Sequence, residues 1–194
     1  MNGDPRPLSQ RFPGGCYVGF NALIDRKAAE QLVMVCTQAQ QNGFSTINIA
    51  INSAGGLLDQ AYYAYHWLEA LPVTIITHNV GNVQSATNLL FLCGDQRYGV
   101  EGCTFFFHQT AFEALPGQRL SASFVRERLK GMQYEDTRSA QIYASKTNRT
   151  VKDVRKWMNA EKVMDTAAAI QNGLIQAVRP YNIPPNAFHH QVIV

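Results

Sequence analysis

Ile51-Asn52-Ser53-Ala54-Gly55-Gly56, Gly81-Asn82-Val83-Gln84-Ser85-Ala86 and Phe105-Phe106-Phe107-His108-Gln109 lie in one stretch, residues 47–108, whose reading decides the fold. Each block is an apolar, strand-like run that ends on chemistry. The first ends in a glycine pair, which lacks Cβ and offers backbone N–H groups at close range. The second ends in a serine that opens a helix, beside free N–H groups that favour developing negative charge. The third ends in a histidine. A nucleophile, a base and a source of oxyanion donors are the minimum parts of an acyl-transfer site. Each residue alone also fits a plain structural role: Ser85 as an N-cap, Gly55-Gly56 as a tight turn, His108 as a satisfied strand-edge residue. Their order and spacing within one α/β unit favour chemistry.

Outward from this stretch, strand and helix patterns alternate. Residues 16–24 read as a strand. Residues 26–40 read as a helix capped by Asp25, with Ala28, Ala29, Leu32, Val33, Val35 and Cys36 on one face and Asn42-Gly43 at its end. Strands at 46–51 and 72–78 are followed by helices at 57–70 and 84–92, and short strands at 97–100 and 104–107 come next. A loop over 112–118 leads to a long helix, 121–146, with Gly131 as its weak point. Shorter helices follow at 151–158, behind Thr150, and at 165–172, before Gly173. Residues 1–15, rich in Pro and Gly, read as an extended arm. The tail from Arg179, with Pro180, Pro184 and Pro185, reads as irregular. The alternation predicts α/β layering around a largely parallel sheet, in one domain or a domain with a small appendage.

Composition narrows the function. Apolar residues make up 46% of the 194 and charged residues only 16%, well under the usual quarter, which suggests that copies of the chain cover part of its surface. The net charge of +3 is not gathered into basic runs, so no nucleic-acid partner is expected; Arg126, Arg128 and Lys130 read as one polar helix face. None of the four cysteines pairs at C-x-x-C spacing, which argues against zinc and thioredoxin-like sites and for free thiols in a cytoplasmic setting. The N-terminus has no signal-peptide pattern, and no uncharged apolar run approaches bilayer length. His78 reads as a buried structural residue. The adjacent His189 and His190 are assigned no metal, and no cofactor is expected.

Together the motifs resemble the ClpP family of serine peptidases over roughly residues 16–178. The glycine-pair block resembles that family's strand end, with Ala54 where proline is usual. Gly81 to Ala86 falls at its serine motif, Arg97-Tyr98 with Phe107-His108-Gln109 at its histidine motif, and Ala169-Ile170-Gln171-Asn172-Gly173-Leu174-Ile175 at its C-terminal one. Asn21-Ala22-Leu23-Ile24-Asp25 and Thr147-Asn148-Arg149-Thr150 fit as well. The resemblance implies a ClpP/crotonase-like α/β fold of repeated β-β-α units with a protruding handle helix at about 117–146. It divides the chain into an N-terminal arm (1–15), a peptidase domain (16–178) and a C-terminal tail (179–194).

Carried over residue by residue, the resemblance makes Ser85 the nucleophile and His108 the general base. The Gly56 and Ala86 amides become the oxyanion hole, supported by Gly55. Counting back from Gly173, the family's acid falls on Glu161, with Asp165 and Asp153 as rivals. The strand after Gly56 and the loop after His108 would bind an extended peptide by strand addition. Departures stand beside the matches: Ala86 for methionine, Thr110 for proline after His-Gln, and Thr87 and Asn88 where small residues are usual. The implied activity is a serine endopeptidase acting on peptides or unfolded proteins inside one or more homo-oligomeric rings. Leu120, Phe124, Val125, Leu129 and Met132 would serve either ring assembly or an ordinary core. The short arm lacks an obvious counterpart of the family's axial loop, which leaves docking of an AAA+ ATPase open. Alternative readings are a catalytically impaired scaffold or regulatory ring subunit and, less favoured, a crotonase-like acyl-CoA enzyme.

Overall fold

The computed structural model describes residues 6–193. Its sheet is built on β1 (Cys16–Phe20), β2 (Thr46–Ser53) and β3 (Thr74–Gln84), all parallel. Val18, Ile47, Ile49, Ile51 and Ile75 are buried, as expected of parallel strands covered on both faces. The crossovers are α2 (Arg26–Gln41) and α3 (Leu58–Ala70). Asp25 caps α2 as the sequence predicts, its carboxylate accepting from the Ala28 N–H at 2.8 Å.

Strand β3 is longer than the pattern at 72–78 suggests. Residues 76–79 pair with β4 (Gln96–Gly99), and residues 82–84 pair with β5 (Thr104–Phe106). A register irregularity between Ile51 and Ser53 accompanies the change of neighbour. The strand therefore runs to Gln84, and α4 (Thr87–Leu92) starts later than the expected residue 84, because Ser85 sits in a turn at φ +55°.

The sheet order is β6-β5-β3-β2-β1-β8, with β4 branching from β3 to β7. β6 (Val163–Met164) is antiparallel to β5, and β7 (Ala177–Val178) is parallel to β4; both are too short to leave a sequence pattern. The tail corrects one expectation, since it holds β8 (Phe188–Val192), parallel to β1. Its prolines precede the strand, so none breaks the ladder. Phe188 packs against Phe12 and Phe44 at ring-centroid distances of 5.6 and 5.8 Å. The arm is likewise not wholly extended: Leu8–Arg11 form a helical turn, α1. Residues 1–5 of the arm lie outside the described residues.

Helix α5 (Ala122–Lys146) has 25 residues and spans about 37 Å. Gly131 does not interrupt it. Its buried residues, Asp136, Ser139, Ala140 and Tyr143, all lie in the second half at helical spacing. In the first half Val125 and Leu129 are exposed, as is Leu120 just before the helix, whereas Phe124 and Met132 are half-buried. Most residues of this half are exposed. α6 (Val151–Asn159) opens with a capping box between Thr150 and Asp153, and α7 (Thr166–Gln171) is capped by Asp165.

Among the described residues no helix is long and apolar enough to cross a membrane, and no three His, Cys, Asp or Glu side chains converge on a metal-sized site. His189 and His190 are consecutive in β8 and face opposite sides of the sheet.

Candidate active site

Ser85 ends β3 in a left-handed turn, a conformation that costs a non-glycine residue about 1–2 kcal/mol. The turn is held from both sides. The Ser85 N–H donates to the Phe106 carbonyl at 2.9 Å. The Asn88 Nδ2 group donates to the Ser85 and Phe106 carbonyls at 2.9 and 2.8 Å. Asn88 thereby clips the serine turn to the strand that leads into His108. Across this clip His108 Nε2 lies 2.6 Å from Ser85 Oγ. With the ring neutral and its proton on Nδ1, Nε2 accepts from the hydroxyl, as general-base activation requires. The imidazole stacks on the Phe106 ring at 5.3 Å and 17°.

The glycine pair lies against the same turn. Gly55 has φ +112°, and a Cβ there would fall 2.6 Å from Ser85 Cβ. Gly56 has φ +146°, and a Cβ there would fall 2.2 Å from the Ile24 carbonyl. Ser53 Oγ accepts from the Gly55 N–H at 3.2 Å and from Thr87 Oγ1 at 2.9 Å. Thr87 and Asn88, polar where the resemblance expects small residues, thus brace the turn. The Gly56 and Ala86 amides have no acceptor among the described residues. Both residues line a cavity of about 280 Å³ together with Ser85, His108, Leu57, Ser139, Tyr143 and Met158. Burial pushes the Tyr143 phenol above its usual range, so it stays a neutral hydroxyl. The larger cavity at Thr37, Tyr63 and Trp67, about 650 Å³, contains neither Ser85 nor His108. Burial also raises the four thiols, Cys16 to about 12 and Cys103 to about 11, which leaves none poised as a rival nucleophile.

The three candidate acids separate by what they already do. Asp165 accepts from the Ala168 N–H at 2.8 Å as the cap of α7. Asp153 accepts from Thr150 Oγ1 at 2.7 Å in the capping box. Glu161 has no cap to serve. It is exposed, in left-handed backbone at φ +47°, just before β6. In the β5–β6 ladder Phe105 faces Met164 and Phe106 faces Val163, and the Phe107 N–H donates to the Lys162 carbonyl at 2.9 Å. Continuing that antiparallel register sets Glu161 opposite His108. Among the described residues no carboxylate hydrogen-bonds the His108 ring.

No strand follows Gly56, because the chain enters α3 at Leu58. The loop from His108 to Ser121 is free of regular structure. It is anchored near its start by Asp136, which accepts from the Thr110 N–H at 2.7 Å. Sequence reasoning gave no role to Asp136 or Asn88; the only signals were the departures at Thr110 and Asn88 themselves.

The Clp protease family model matches residues 17–181. Among curated proteins the chain is similar to the ATP-dependent Clp protease proteolytic subunit 1 of Thermobifida fusca (strain YX), with 23% identity over 161 residues, covering 82% of this chain and 71% of the relative.

Proposed function

The chain belongs to the Clp protease family, and from that premise we propose that it is a serine endopeptidase that cleaves peptides or unfolded chains within a ring of its own copies. The observation that carries this reading is the 2.6 Å contact between Ser85 Oγ and His108 Nε2, in a cavity lined by two residues, Gly56 and Ala86, whose amides find no acceptor among the described residues.

In this mechanism a peptide lies along the loop after His108 and presents its carbonyl carbon to Ser85 Oγ. His108 Nε2 takes the hydroxyl proton as the C–O bond forms. The carbonyl oxygen becomes an oxyanion and accepts from the Gly56 and Ala86 N–H groups. Such fixed donors in a partly dry site lower the barrier by several kcal/mol, roughly 2.7–4 for each donor. His108 returns the proton to the departing amine, leaving an acyl ester on Ser85, and then activates the water that hydrolyses it. Glu161 is the acid proposed to steady Nδ1. Its register opposite His108 supports this, and so does the engagement of Asp153 and Asp165 in helix caps. One more methylene gives it longer reach than aspartate.

A second reading, a ring subunit without catalysis, draws support from the absence of a carboxylate on the described His108 ring. Peptide hydrolysis and labelling by a fluorophosphonate probe separate the two. On the endopeptidase reading, wild type hydrolyses a fluorogenic peptide and is labelled at Ser85. Ser85→Ala then loses about four orders of magnitude or more of kcat while its assembly is intact. Hydrolysis retained in Ser85→Ala would sink the endopeptidase reading. Assembled wild type that neither hydrolyses nor labels favours the scaffold.

A further inference from the structure

Among the described residues Asp136 is the only buried acidic side chain, 4% exposed, and it has no ion-pair partner. An isolated carboxylate in such a place is costly unless hydrogen bonds replace its water. Its two oxygens are answered by the two residues that directly follow His108. Oδ1 accepts from the Thr110 N–H at 2.7 Å, and Oδ2 accepts from Gln109 Nε2 at the longer distance of 3.4 Å. One and two turns further along the same face of α5, Ser139 and Tyr143 line the Ser85 cavity. The helix thus supplies both a wall of the site and an anchor for the chain that leaves the base.

The Thr110 departure acquires a reason here. Proline, which the sequence resemblance leads one to expect at this position, has no N–H and would leave Oδ1 without its short hydrogen bond. Asp136 and Thr110 therefore make sense as a pair. Two constraints act on His108 from opposite ends: Asn88 on the Phe106 carbonyl before it, and Asp136 on the two residues after it.

We propose that Asp136 is a positioning residue for the catalytic base, holding Gln109 and Thr110 so that the His108 ring meets Ser85 Oγ, and thereby linking handle helix α5 to the nucleophile. The proposal rests on the reading of Ser85 and His108 as nucleophile and base. Small misplacements of a base are expensive: about 1 Å costs on the order of a hundredfold in rate.

The test measures kcat, KM and the rate of fluorophosphonate labelling at Ser85, in assembled protein, for Asp136→Ala, Asp136→Asn, Thr110→Pro and the Asp136→Ala/Thr110→Pro double variant. Asp136→Ala is expected to lower kcat and labelling about tenfold or more while KM changes less than about threefold. Asp136→Asn keeps an acceptor for the Thr110 N–H and recovers most of kcat. The double variant is no slower than the worse single one, because both act through one hydrogen bond. A general structural defect would not give this kcat-against-KM split with rescue by asparagine. If Asp136→Ala does not fold, Thr110→Pro carries the test. Unchanged kcat and labelling in the folded variant, or losses that multiply in the double variant, overturn the proposal. Ser85→Ala run alongside distinguishes the failures. Hydrolysis that survives Ser85→Ala removes the site reading and this inference together. Hydrolysis lost there but untouched in Asp136→Ala removes only the positioning role.

Discussion

Gly55 shows how closely the residue scale controls the proposed chemistry. Its φ of +112° is foreign to residues with a side chain, and the added Cβ would meet Ser85 Cβ at 2.6 Å. Gly102 offers a matched control: its φ is +76°, but nothing lies within 4 Å of a Cβ built there. Both alanine variants incur backbone strain of about 1–3 kcal/mol. Only Gly55→Ala must also displace the serine, so kcat should fall about a hundredfold there and stay near wild type in Gly102→Ala. Thermal melts and peptide kinetics on the two variants check this, and equal kcat in both would contradict the role given to Gly55. At this scale the candidate residues Ser85, His108 and the glycine pair were legible because each ends a strand, where a side chain or amide leaves the ladder. Asn88 and Asp136 were not legible. Asn88 answers the Phe106 carbonyl and Asp136 the Thr110 N–H, both far away in sequence, and no local pattern records that.

At the scale of elements, helices with one apolar face and strands buried on both faces were readable in the sequence. The failures share a cause. β6, β7 and β8 exist because a neighbouring strand offers an unpaired edge, which composition does not reveal. The start of α4 moved because the serine turn takes residues that a helical pattern would claim. Helix α5 keeps its core contacts in the second half, while Val125 and Leu129, one turn apart on the first half, are 49% and 47% exposed. On the ring proposal these two are covered by another copy. Charges placed there should block assembly without unfolding the domain, because neither side chain supports the core. Val125→Glu/Leu129→Glu should therefore sediment as a smaller species than wild type with an unchanged far-ultraviolet circular dichroism spectrum. An unaltered sedimentation profile would remove the first half of α5 from the assembly surface.

The whole molecule is tied together at its C-terminal side by two buried basic residues. The Arg97 guanidinium donates to the carbonyls of Gly94, Lys146, Gly173 and Leu174, joining β4 to the end of α5 and the turn after α7. Beyond this knot His78 Nε2 lies 2.9 Å from the Arg179 carbonyl, and its ring packs against Tyr98 and Tyr181, at centroid distances of 6.0 and 5.2 Å. These contacts dock the tail on β3 before it turns back to form β8. Burial holds the His78 pKa below the usual 6.5, reinforced by the nearby Arg179 charge and only partly opposed by the carbonyl. Above about pH 6.5 the ring is neutral in both folded and unfolded chains, so its stabilising contacts are fully present. As the pH falls below that value, the unfolded chain binds a proton that the folded one resists. Stability therefore declines until the folded ring itself titrates. His78→Gln has no such proton to bind, and its side-chain amide can still donate to the Arg179 carbonyl. Its melting temperature should fall less between pH 7 and pH 5 than that of wild type. Parallel melting curves across that range would show that the docked tail does not depend on a neutral His78.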